Sequence, residues 1–161
     1  MLKRLTQCAA IGCVWLLSSS VLAGDASLMS YEQASKAMGA SQAYARDKGW
    51  KVMVLISDQN GLPVLLKRMD GTSNSAYGYV TGKTLAIVKT GLGSGEYGAK
   101  LKRGEIEEVV GASPYKGGVP VYAEGRLIGM IATSGVHGYQ DLEVSLAGAN
   151  VLGSVSKPEF K

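Results

Sequence analysis

Cysteine is scarce in this chain and confined to one end of it. Of its 161 residues only Cys8 and Cys13 are cysteines, and both lie in the first, leader-like stretch. The rest has none, which excludes a disulfide framework, a thiolate metal site and a cysteine nucleophile. Histidine is limited to His137. No zinc-spaced His/Asp cluster exists, and no nucleophile–base pairing or Gly-x-Ser-x-Gly elbow can be assembled. Bilayer-length apolar runs are missing too: Leu5 to Leu17 is too short, and no second run follows. Charge of one sign is scarce. The net charge is +4, and without Lys3 and Arg4 the balance is 15 basic against 13 acidic side chains. No basic stripe is interleaved with aromatics, so nucleic acid is not expected as a partner. Lys100, Lys102 and Arg103 are followed by Glu105, Glu107 and Glu108, which reads as a self-neutralising solvated surface. Gly91 to Gly95 lacks both the lysine and the preceding strand of a phosphate-binding loop.

What is present begins with an address. Lys3 and Arg4 precede the short apolar run, and Val21-Leu22-Ala23 supplies the small residues of a cleavage site. Residues 1–23 are therefore expected to be a signal peptide. Cys13 arrives before the apolar core is complete, so it does not mark a lipoprotein. Residues 24–161 form one domain of 138 residues, large enough to hold together on its core alone. The expected location is the periplasm or the cell exterior, with no stable membrane anchor after cleavage.

The chain is organised around Gly117 to Asp141. Val119 to Tyr122 and Leu127 to Thr133 read as a hairpin, with Ala123-Glu124-Gly125-Arg126 as its turn. Ser134 to Gln140 reads as loop, and Asp141 as the N-cap of a last helix with Leu142, Leu146, Ala149 and Leu152 on one face. The glycine density of this hairpin points to backbone in close approach to a neighbouring backbone, a subunit or a ligand. Upstream, Ser30 and Gln33 have capping-box spacing for a helix carrying Ala34, Ala37, Met38, Ser41 and Ala45, stopped at Gly49. Trp50 to Ser57 and Leu62 to Arg68 form a second hairpin about Asp58-Gln59-Asn60-Gly61. Pro63 marks the return strand as an edge or a bulge. A helix is expected from about Thr81 to Thr90. Ala76 to Val80 fits either helix or strand, and Glu96 to Val110 either a short helix or an extended segment. Hairpins alternating with helices define an α+β class with an antiparallel sheet.

These motifs, in this order, resemble the GlcG/HbpS-like family of small haem-binding-associated domains. Val54 to Asp58 with Gly61 matches its strand and Asp-x-x-Gly turn. Arg68-Met69-Asp70-Gly71 matches its Arg-Met-Asp-Gly. Lys83 and Ala86 match part of its helix motif, and Gly117 to Val121 its Gly-Gly-x-Pro-Ile/Val. Gly125, Gly129, Ser134, Gly135 and Asp141 match the closing pattern. The resemblance spans about Ser30 to Leu152. It implies a profilin-like three-layer α/β/α sandwich around a five-stranded antiparallel sheet. The residues alone supply four strands, so the fifth is expected in a segment left open above. The resemblance also implies a homo-oligomer, and for several members haem binding or a link to haem degradation.

Haem iron takes an axial His, Tyr, Met or Cys. His137 is thus the candidate for the iron, read as an exposed loop residue. Eight tyrosines stand against one phenylalanine, and Tyr77, Tyr79 and Tyr139 are candidates to ligate or stack on a tetrapyrrole. Arg68 and Lys83, with Asp70, are candidates to pair haem propionates or the carboxylate of a small organic acid. The plainer reading of Asp58, Asp70 and Asp141 is turn and cap chemistry. The expected function is binding of haem or a related tetrapyrrole as carrier, sensor or scavenger. The alternatives are a module for a small organic acid such as a hydroxy acid, or a haem-degrading enzyme, for which no residue pattern speaks directly. Leu127 to Thr133 and the small-residue helix faces are the expected subunit contacts.

Overall fold

A computed structural model describes residues 28–156. The expected signal peptide, residues 1–23, lies outside the described residues. Helix α1 (Tyr31–Asp47) starts as its spacing requires. Ser30 Oγ accepts from the Gln33 N–H at 3.1 Å, and Gln33 Oε1 accepts from the Ser30 N–H at 2.9 Å. Its buried face is Ala34, Ala37, Met38, Ser41 and Ala45. Strands β1 (Met53–Asp58) and β2 (Pro63–Arg68) form the first hairpin. Asp58 Oδ1 accepts from the N–H groups of Asn60 and Leu62, each at 2.9 Å, which closes the turn. Pro63 lies opposite Ser57, where the register slips, and β2 is an edge strand. Both meanings of that proline are realised.

Helix α2 (Ala76–Thr90) begins five residues before the expected start. Ala76 and Val80, four apart, pack with Met53, Leu55 and Ala132, so the open segment is helical. Gly91 ends α2 at φ +70°, and α3 (Ser94–Lys102) follows at once. The expected Gly-rich connection is therefore the stop of one helix and the start of the next. Strands β3 (Gly118–Ala123) and β4 (Arg126–Ser134) make the second hairpin. Its turn residues Glu124 and Gly125 both have positive φ, +49° and +79°, as a type I′ turn demands. Helix α4 (Gly138–Ala149) completes the order. Its N-cap position is His137, not Asp141. The helix runs on through Gly138, Tyr139 and Gln140, which had been assigned to the loop.

All strand pairs are antiparallel, in the order β2-β1-β4-β3. The sheet has four strands among the described residues, not the five implied by resemblance. Neither open segment supplies another. On the outer edge of β3 only Tyr122 pairs onward, with Ser154: their two N–H···O bonds are 2.7 and 2.9 Å. The rest of that edge is already blunted. The Gly118 N–H donates to Ser94 Oγ at 2.9 Å, and Pro120 has no N–H to offer.

Side chains of β1 alternate between two helical layers. Val54 and Ile56 face α1 and α4; Met53 and Leu55 face α2. The α/β/α layering is thus as expected. Strand β4 lies between β1 and β3, and residues 128–134 are buried within the chain. It therefore cannot be the subunit contact proposed from its glycines. The close approaches are internal: a Cβ at Gly129 would meet the Ser57 carbonyl and the Met29 side chain. At Gly148 a Cβ would stand 2.9 Å from the Ala37 carbonyl oxygen, so small residues let α4 lie against α1.

Candidate ligand-binding cleft

The site is built around one lysine that an apolar helix face carries inward. Val80, Ala86 and Ile87 of α2 are buried, and Lys83 among them is 1% exposed. Its stem runs to the end of the sheet. There Nζ donates to the Thr133 carbonyl at 2.7 Å and to Asp141 Oδ2 at 2.9 Å. Asp141, in the first turn of α4, is equally buried, and its Oδ1 accepts from the Val136 N–H at 3.2 Å. The pair thus links the two helical layers past the end of β4. Burial pushes the Lys83 ammonium below the usual lysine range, and it raises the Asp141 carboxyl. Their mutual attraction opposes both shifts without overcoming them.

Gly117 crosses directly over this pair at φ +117°. A Cβ there would stand 2.7 Å from Asp141 Cβ and 2.8 Å from Lys83 Nζ. Close by, Ser145 Oγ donates to the Gly117 carbonyl at 2.7 Å and lies 2.8 Å from Thr133 Oγ1. A fixed polar layer results, with each charge partnered.

Above it opens a cleft of 570 Å³, within the range of small-ligand sites. His137, Tyr79 and Lys83 all line it, so three of the six candidate residues come together. Tyr139 is not in the wall, but its ring stacks on His137 with centroids 5.9 Å apart and planes 4° from parallel. Tyr77 is exposed on α2 and does not line the cleft. Arg68 and Asp70 are exposed at the end of β2, two strands from β4, and do not join Lys83. The supposed Arg68–Asp70–Lys83 pocket does not form, because Lys83 turns to the end of central strand β4 and meets Asp141, while Arg68 and Asp70 stay at the β2 edge.

Tyr115, one of the tyrosines around the central hairpin, also lines the cleft, and so do two lysines not foreseen as site residues, Lys102 and Lys116. Tyr115 makes an edge-to-face pair with Tyr79, centroids 5.8 Å apart. The two lysines give the cleft a cationic rim. Nothing in their spacing marks them, since they reach the cleft from α3 and from the loop before β3. The Lys83–Asp141 pair did leave a signal: a lone lysine on an apolar helical stripe needs a buried acid. A second cavity, 610 Å³, runs along β3 between Leu92, Pro120, Leu142, Leu146 and Val155. It shares Gly95 and Lys116 with the first cleft.

The donor set suits a haem group. It offers an exposed imidazole, tyrosine edges and two ammonium groups for propionates. Among the described residues, no cluster of three or more His, Cys, Asp or Glu side chains could hold a bare metal ion.

With fold and cleft defined, comparison places the chain. It belongs to the HbpS-like family: the family's model, "Haem degrading protein HbpS-like", matches residues 29–150. The crystal structure of a double mutant of Streptomyces reticuli HbpS is similar at a TM-score of 0.72 and 27% identity, over 94% of this chain and 100% of that one. Another crystal structure of HbpS gives 0.72 and 29%, over 79% and 92%. The crystal structure of a PduOC–haem complex gives 0.67 at 18% identity, over 82% and 99%, a likeness of fold alone. No curated protein sequence matches the chain.

Proposed function

We propose that this protein binds haem or a related tetrapyrrole in the cleft at His137, as a carrier, sensor or scavenger. The observation that carries the reading is the cleft itself. It places the chain's single imidazole beside tyrosine edges and a cationic rim, in a family described by haem. The PduOC–haem complex on the same fold supports it. His137 would hold the iron, Tyr79 and Tyr139 would border the ring, and Lys102 and Lys116 would pair its carboxylates. Bound haem would supply an iron centre with an axial position to fill. The N-terminal pattern supports export to the periplasm or beyond.

Replacing His137 by Ala is expected to weaken haemin binding tenfold or more, about 1.4 kcal/mol, and to change the absorption spectrum. The stability of the unliganded protein should hardly move, because the side chain is exposed. Unchanged affinity and spectrum would pass the axial role to Tyr79 or Tyr139.

A small organic acid is the second reading, favoured by the same two lysines and by the N-terminus of α4 at the cleft. Thermal-shift screening of hydroxy acids beside haemin separates the two. Haem degradation is the reading the family's description adds. Iron and biliverdin release with a reductant, with catalase present, decides it. Self-association is supported by the exposed Leu62, Leu66 and Val88 about the β2 edge. Light scattering at micromolar protein should give a multiple of the monomer mass; the monomer mass alone would rule it out.

A further inference from the structure

The His137 side chain is exposed, yet the backbone that carries it is held by buried groups. Thr133 of central strand β4 fixes Lys83 Nζ at 2.7 Å. Lys83 fixes Asp141 Oδ2 at 2.9 Å. Asp141 Oδ1 then takes the N–H of Val136, the residue just before His137, at 3.2 Å. The next N–H, that of His137, donates to Gln140 Oε1 at 3.1 Å. Behind them Gly135, at φ +148°, lies where a Cβ would collide with the Lys51 carbonyl and stand 2.9 Å from Val52 Cα. The Val136 peptide and the entry to the loop are thus tied to the sheet, and the His137 N–H to the first turn of α4. The Tyr139 ring then lies parallel to the imidazole, centroids 5.9 Å apart.

A buried ion pair is a poor way to stabilise a helix start, since apolar side chains of similar size often do as well or better. What charge adds is direction: an oxygen aimed at one N–H and an ammonium aimed at the other oxygen. We propose that Lys83 and Asp141 are positioning residues that set the His137 imidazole at the rim of the cleft and touch no ligand iron themselves. The purpose rests on the haem reading; the positioning does not.

The test uses the fact that His137 is the only histidine. In the unliganded protein its ring protons give one set of nuclear magnetic resonance signals, displaced by the ring current of Tyr139. The double variant K83M/D141L removes both charges and keeps the core filled. With circular dichroism unchanged, its imidazole signals should move to the positions of an unstructured peptide. Its haemin spectrum should move to that of His137→Ala. K83M/D141N, whose amide oxygen again offers an acceptor to the Val136 N–H and which leaves no ammonium unpaired, should bring the native signals back. A folded K83M/D141L protein with native imidazole signals overturns the proposal. If K83M/D141L does not fold, Asp141→Ala in a stabilising osmolyte is read in the same way. No haemin spectrum in the native protein would sink the haem reading alone, and the imidazole signals would still decide the positioning.

Discussion

Replacing Lys83 by Met should cost about 3–5 kcal/mol of folding stability, and Asp141→Leu a similar amount. Each single change leaves one charge buried without its partner. Lys83 is 1% exposed and Asp141 3%, so neither can turn to water. The Asp141 carboxylate would keep only the Val136 N–H, at 3.2 Å. The Lys83 ammonium would keep only the Thr133 carbonyl, at 2.7 Å. The double variant should be far less destabilised than the sum of the two, because both desolvation costs vanish together. Urea denaturation of the four proteins measures this coupling. Additive losses would show that the two charges do not depend on each other. A loss below ~1 kcal/mol for each single change would show that water reaches the pair.

Gly117→Ala should be nearly as damaging. At φ +117° a side chain strains the backbone, at about 1–3 kcal/mol. The added Cβ would also stand 2.7 Å from Asp141 Cβ and 2.8 Å from both Lys83 Nζ and the Thr133 oxygen. Those three cannot give way, since they are bound to one another. Overpacking of that kind costs about 1–3 kcal/mol more. Gly49→Ala is the control: its φ is +68°, and nothing lies within 4 Å of a Cβ there. It should lose the backbone part alone. If the two variants have the same urea midpoint shift, the chain does not press on the charge pair as described.

The contrast between these glycines shows what could be read in the sequence. Positive φ was legible wherever a turn motif stood, at Gly61 after Asp58 and at Gly125 between two apolar runs. Gly117 belongs to no turn motif. Its role depends on Lys83 and Asp141, which lie 58 residues apart and meet only once the layers are stacked. The capping box at Ser30 was legible because both its hydrogen bonds are local. Asp141 was misread for the same reason. A cap is the local duty of an aspartate before an apolar stripe, while its real partner is remote. The helix at Ala76 was obscured by Tyr77-Gly78-Tyr79, which alternates like a strand. Burial of Ala76 and Val80 against β1 and β4 settled it, and no local signal reports that.

The cleft divides in the same way. His137 drew notice by rarity and Lys83 by motif, and both line it. Lys102 and Lys116 look like any surface lysines until α3 is packed on α2 and the loop before β3 meets the start of α4. Arg68 shares a motif with Asp70, but β2 lies at the far edge of the sheet. Nearness in sequence did not bring either to the cleft.

The central claim is that the cleft at His137 takes up haem. Titration of haemin into residues 24–161 at micromolar protein, followed in the Soret band, tests it most directly. A saturable shift at a fixed stoichiometry, altered in spectrum by His137→Ala, is the expected result. A featureless, unsaturable rise identical to free haemin would contradict it.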